Sequence, residues 1–205
     1  MARPLEPRKS KVAVPLPDDA TLTPDIRQRL QQLPALNNLR MFANVPHCFQ
    51  SITSLINQLF HAGTIDPKLR EYMYLRIAIK YGLYYEYRHN LLFSEQLGIT
   101  DGELAALRSD GPVDRLSADG NLVCAAAEEI TERFSVGDEM LTALLDRFGT
   151  EGACEIILLV SWFNPCLSGC HPQPLAVVFG HAHGRSPAWQ SSVPTIAARV
   201  PATFP

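Results

Sequence analysis

Proline is distributed unevenly in this chain: Pro4, Pro7, Pro15, Pro17 and Pro24 crowd its start, and Pro172, Pro174, Pro187, Pro194, Pro201 and Pro205 crowd its end. Each proline fixes φ and removes a backbone donor, so neither end can run as a continuous helix or as a central strand. Residues 1–22 and 169–205 are therefore expected to be extended arms around one helical domain at 23–168. Within that domain no segment alternates with period two between hairpin signals, while apolar residues recur at helical spacing throughout. The expected fold class is all-α.

Start and stop signals divide the domain. A first helix is expected from Thr23 or Pro24 to Leu33, a short one at Asn37 to Phe42, and a longer one after Val45-Pro46 that carries Phe49, Ile52, Leu55, Ile56 and Leu59 on one face. Asp66-Pro67 supplies a cap followed by proline at the first helical position, and Gly82 supplies the stop. The next helix runs from Tyr84 to Leu97 and ends at Gly98, and Thr100 with Glu103 forms a capping box for a short successor. Further helices are expected at Ser117 to Phe134, at Ser135 to Phe148, and from Thr150 onward after a break at Gly149. In the last of these Ile156 to Val160 are apolar on all sides, which predicts burial at the centre or in a subunit interface, and Pro165 is expected to kink or end it.

Charge and composition exclude several classes of function. A formal charge of -3 from 18 interspersed basic and 21 acidic residues offers no basic patch for nucleic acid. No apolar stretch approaches the roughly 20 residues that span a bilayer, and the N-terminal charges are followed by no apolar signal core, so a cytoplasmic protein is expected. Five cysteines, an odd number and mostly within helical patterns, fit free thiols in a reducing compartment. Cys166 and Cys170 stand near His171, His181 and His183, but their spacing suits zinc poorly, and no metal site is assigned.

Two glutamates stand out on the helices joined at Gly82. Glu71 shares the i, i+4, i+7 face of Leu75 and Ala78, and Glu86 shares a face with Asn90, Phe93 and Leu97. If the helices form an antiparallel hairpin, both carboxylates approach one cavity, where desolvation and mutual repulsion would raise at least one pKa toward neutrality. The plainer alternative is that each pairs with Arg70, Arg76 or Arg88, or is solvated at the edge of its face. All six tyrosines (Tyr72, Tyr74, Tyr81, Tyr84, Tyr85 and Tyr87) fall in the same region, either around a pocket for a ring or on helix surfaces and interfaces.

Four ordered stretches resemble the carboxymuconolactone decarboxylase-like family, which shares the alkylhydroperoxidase D-like fold. They are PALNNLRMFANVP at Pro34 to Pro46, GTIDPKLREYMYLRIAI at Gly63 to Ile79, YEYRHN at Tyr85 to Asn90, and the closing helix Glu155 to Asn164 with Trp162, Phe163 and Asn164. The resemblance covers about residues 24 to 168 and implies an all-α bundle around a central helical hairpin, commonly assembled as a trimer or hexamer; the arms and the apolar last helix by themselves argue against a monomer and leave trimer, dimer and hexamer open. The peroxidase branch of that family carries a Cys-x-x-Cys pair, a His four residues later and an upstream Glu. Here Glu71 falls on that Glu, Leu83 on the first Cys, Glu86 on the second and Asn90 on the His, so the thiol pair required for peroxide reduction is absent.

Glu86 at the second Cys position is similar to the non-peroxidase branch, which usually has His where this chain has Asn90. His89 lies one residue earlier, turned by about 100° around the helix. The resemblance thus implies a cofactor-independent acid–base enzyme acting on a small acidic or aromatic metabolite, with decarboxylation, isomerisation or ring closure as outcomes. In that reading Glu86 is the principal acid or base and Glu71 shares or tunes its proton. His89, Tyr85 or Arg88 orients the substrate, Asn90 holds a carbonyl, and Phe93 lines the site. The alternative is a non-catalytic relative that uses the fold for ligand binding or assembly.

Overall fold

A computed structural model describes residues 14–168, with side chains as far as Phe163, and every regular element among them is helical. A short 3-10 turn at Asp19–Thr21 leads into α1 (Pro24–Gln32), α2 (Asn37–Phe42), α3 (Pro46–His61), α4 (Pro67–Tyr81), α5 (Tyr84–Gln96), α6 (Asp101–Leu107), α7 (Ala118–Arg133) and α8 (Asp138–Ser168). Residues 1–13 and 169–205, with the greater part of both expected arms and the Cys170, His171, His181 and His183 group, lie outside the described residues, as does the Cys166 side chain.

The described part of the N-terminal arm is held against the domain. The Pro17 carbonyl accepts from Arg40 Nε at 3.0 Å, the Pro15 carbonyl accepts from Asn44 Nδ2 at 3.0 Å, and Arg40 pairs with Asp19. Leu22 then joins Ile26, Ala43 and Phe49 in a small apolar cluster between α1, α2 and the start of α3. The arm is therefore docked on the domain from Pro15 onward, with one 3-10 turn at Asp19–Thr21 between extended Asp18 and Leu22.

The local signals act where the sequence puts them. The Asp66 carboxylate accepts from Lys68 N–H at 2.7 Å, Pro67 opens α4, and Gly82 closes it at φ 67, a left-handed conformation that a side chain disfavours. Thr100 and Glu103 form the reciprocal capping box of α6, and Ser117 Oγ accepts from Gly120 N–H at 3.0 Å to start α7. α8 is broken at Gly149, whose φ of 68 and ψ of -178 are open essentially to glycine alone. Two boundaries differ from expectation. The first part of α8 begins at Asp138 rather than Ser135, because Phe134 ends α7 at φ 55 and 135–137 form a link tied by the Gly137 N–H to Glu129 Oε1 at 2.6 Å. Pro165 does not end α8, which continues to Ser168.

α4 is the hub. It packs against α5, α6, α7 and α8, and every residue from Arg70 to Ile79 is buried. A helix walled on all sides has no wet face, and each fully buried Leu or Ile there contributes roughly 1.5–3 kcal/mol of hydrophobic stabilisation. α7 and the second part of α8 complete the main core with Val123, Ala126, Ile130, Ile156, Leu159 and Val160. The apolar run of α8 is thus buried on one side only: Leu158, in its middle, is 45% exposed.

Arg76 shows how α4 is fixed in place. At 2% exposure its guanidinium donates to Glu128 Oε1 at 2.5 Å and to the carbonyls of Leu107, Ser109 and Gly111 at 2.7 Å each, joining α4, α7 and the link after α6. Lys80 adds contacts to Glu128 and Glu132. Glu155 of α8 holds the α3–α4 link, accepting from Thr64 N–H at 2.6 Å and Thr64 Oγ1 at 2.7 Å.

A candidate acid–base site on the α4–α5 hairpin

Both glutamates of the hairpin are buried, Glu71 at 1% exposure and Glu86 at 8%. The arginine pairings considered above do not form. Arg76 is engaged by Glu128 and three loop carbonyls, and Arg88 is exposed. Arg70 caps the end of α3, with Nη1 donating to the carbonyls of Leu59 at 3.4 Å and Phe60 at 3.2 Å and the guanidinium 4.5 Å from the Phe60 ring. Its charge opposes, without cancelling, the effect of burial on Glu71, whose pKa is pushed up to about 8 and whose Oε1 has no hydrogen-bond partner. Burial alone pushes Glu86 up to about 7.

Mutual repulsion plays no part at either carboxyl. At about 1.5 Å of rise per residue, position 71 lies about 16 Å from the Gly82 turn along α4, and position 86 only about 6 Å along α5. An antiparallel hairpin therefore sets the two positions about 10 Å out of register. The expectation of one cavity shared by a repelling pair is corrected: each carboxyl is raised by its own desolvation.

The remaining site residues separate into two groups on α5. Asn90 is buried on the Glu86 face, and its Nδ2 donates to the Glu86 carbonyl at 2.8 Å. Phe93, three residues further on, is half-buried. His89 belongs to the adjacent face, where its ring meets that of Tyr85 at 4.0 Å between centroids and Nδ1 lies 2.9 Å from the Tyr85 carbonyl oxygen. Burial pushes the His89 pKa down, opposed by the Tyr85 carbonyl and aided by the nearby Arg88 charge, so the imidazole is the neutral form near neutral pH.

The tyrosines also divide. The Tyr72 hydroxyl donates to Glu103 at 2.5 Å, and Tyr74 stacks on Phe163 with centroids 4.2 Å apart, so both serve the core. Arg108, which sequence spacing did not single out, donates to the Tyr87 hydroxyl and ties the end of α6 to α5. No local signal announces a pair 21 residues apart on two consecutive helices. Tyr81, Tyr84 and Tyr85 remain half-buried.

Chemically, this arrangement offers a carboxyl group divided between its acid and base forms near neutrality, with a neutral imidazole and flat rings on the next face of the same helix. The hairpin, residues 67–96, contains no cysteine. Cys124, in α7, is fully buried and its pKa is pushed up to about 12, which makes it inert. Among the described residues no group of three or more His, Cys, Asp or Glu side chains is placed to hold a metal ion, and no helix is long and apolar enough to cross a membrane. Compared with known proteins, the chain matches no protein-family model, no curated protein and no solved structure.

Proposed function

We propose that this chain is a carboxymuconolactone decarboxylase-like protein of the non-peroxidase branch, and that it moves protons on a small acidic or aromatic metabolite without a cofactor. Glu86 is the principal acid or base. The observation that carries this reading is its carboxyl group, 8% exposed and raised by burial to about 7, on a helix that also presents Tyr85, His89 and Phe93. A carboxyl group in that state can both give and accept a proton at neutral pH, as decarboxylation, isomerisation and ring closure all require. Glu71 is a positioning residue through α4 packing, not a partner in a shared-proton pair. The proposal includes assembly into a cytoplasmic homo-oligomer, supported by the exposure of Leu158 within the apolar run of α8.

A second reading, a ligand-binding or assembly protein without catalysis, is favoured by one observation. Asn90 stands where the family's histidine is expected and directs its amide at the Glu86 carbonyl, inside its own helix.

Purified wild type and Glu86→Gln, each incubated with a small-molecule extract of the source organism and followed by mass spectrometry, separate the two. A compound consumed by wild type alone supports the enzyme, and its mass change names the reaction: loss of carbon dioxide for a decarboxylase, no change for an isomerase or cyclase. Extracts left untouched by both proteins favour the binding or assembly reading.

A further inference from the structure

Beyond Gly149, α8 exposes Glu151, Cys154, Leu158 and Ser161, positions three and four residues apart. That spacing draws one seam along a helix, the pattern by which two helices pack side by side. Leu158 in the seam is 45% exposed, while Ile156, Leu159 and Val160 beside it fill the core. Half-buried Glu155 and Trp162 flank the seam, and Glu155 gives its carboxylate to Thr64 and Ile65 of the α3–α4 link. From Ile156 to the end of α8 at Ser168 the sequence has no Asp, Glu, Lys or Arg, so among the exposed seam positions only Glu151, at the start, is charged. A surface that meets its own copy across a two-fold axis must be free of charge near that axis, because each charge there faces its like. A foreign partner imposes no such condition, since it can answer a charge with the opposite one. The α8 seam meets the condition.

We infer that the α8 seam is the contact between two copies of this chain, packed antiparallel with Leu158 at the two-fold axis. The inference rests on the assembly reading above and names its surface and symmetry. The direction follows from Glu151. Antiparallel packing centred on Leu158 keeps the two Glu151 positions about 21 Å apart along the helices, whereas parallel packing would set them side by side as like charges. Cys154, one turn before Leu158, then lies opposite Ser161 of the partner subunit, two small side chains that let the helices approach. The two Cys154 positions stand about 12 Å apart along the helices. A self-facing contact of this kind builds dimers, or hexamers from paired trimers, and excludes a lone trimer.

Sedimentation velocity of the full chain over a range of concentrations compares wild type with Leu158→Glu, which sets two like charges against each other at the axis. The expected result is an even-numbered wild-type assembly and a Leu158→Glu particle of half its mass with an unchanged circular dichroism spectrum. An assembly of unchanged mass in Leu158→Glu, or a wild-type trimer, overturns the α8 contact while assembly itself stands. A wild-type monomer at every concentration removes the inference and the assembly reading together. If Leu158→Glu does not fold, Leu158→Cys decides. Under mild oxidation, peptide mapping is expected to find position 158 of one copy linked to position 158 of the other, with no Cys154 to Cys154 link. A Cys154 to Cys154 link, or no link at position 158, overturns the inference.

Discussion

Asn90 donates its side-chain amide to the Glu86 carbonyl at 2.8 Å, one helical turn back along α5. The bond joins the only two buried polar residues of the first two turns of α5 and leaves the Glu86 carboxyl outside the exchange. Asn90→Ala is expected to lower stability by about 1–2 kcal/mol in urea titration, the loss of a buried hydrogen bond with some packing. The Glu86 carboxyl should remain raised in this variant, because its cause is burial. An ordinary carboxylate titration for Glu86 in Asn90→Ala would mean that Asn90 maintains the dry environment.

Glu71 makes stability depend on pH. Its carboxyl titrates near 4.5 in the unfolded chain and at about 8 in the folded one. Between those values the folded chain keeps a proton that the unfolded chain has released, so rising pH favours unfolding. The contribution is complete below about pH 4.5 and lost above about pH 8. Glu71→Gln should therefore melt higher than wild type at pH 9, by a free energy on the order of a few kcal/mol, and close to wild type at pH 4. Parallel melting curves at the two pH values would contradict this.

Arg76→Met should cost roughly 3–5 kcal/mol, because it leaves Glu128 short of a partner, removes the guanidinium from the Leu107 and Ser109 carbonyls, and leaves the Gly111 carbonyl to Ser109 Oγ alone. Thermal melting measures it, and hydrogen exchange should show the link between α6 and α7 opening first. A loss below 1 kcal/mol would mean that water replaces the guanidinium readily.

Gly63 sits where a Cβ would lie 2.0 Å from Glu155 Oε1. Gly63→Ala must push that carboxylate away from Thr64 and Ile65, at a cost of about 1–3 kcal/mol. Combined with Glu155→Ala the two losses should be strongly non-additive in a double-mutant cycle, since the second change removes the obstacle. Additive losses would locate the strain elsewhere.

The distribution of these effects shows which parts of the structure were legible in the sequence. The Asp66-Pro67 start, the Gly82 stop, the Thr100–Glu103 box and the Gly149 break are local, each decided by backbone groups within a few residues, and they set the helix boundaries. Burial of α4 on every side from Arg70 to Ile79 was not legible, because periodicity suggested one dry stripe where four other helices surround the element. Nor were the partners of Arg76, which lie 31 to 52 residues away. For the candidate site, the inward faces of Glu71 and Glu86 could be read from spacing, but their separation depends on the register of the hairpin. The family resemblance rests on motifs alone, with no family model matching the chain.

The account depends on Glu86 being a buried carboxyl that exchanges its proton near neutrality, and a 13C NMR titration of that carboxyl group tests it most directly. A midpoint of about 7, unchanged in Glu71→Gln because the two groups do not couple, is the predicted result. A midpoint at the ordinary 4.5 would show a solvated carboxylate and contradict the assignment of Glu86 as the acid–base group.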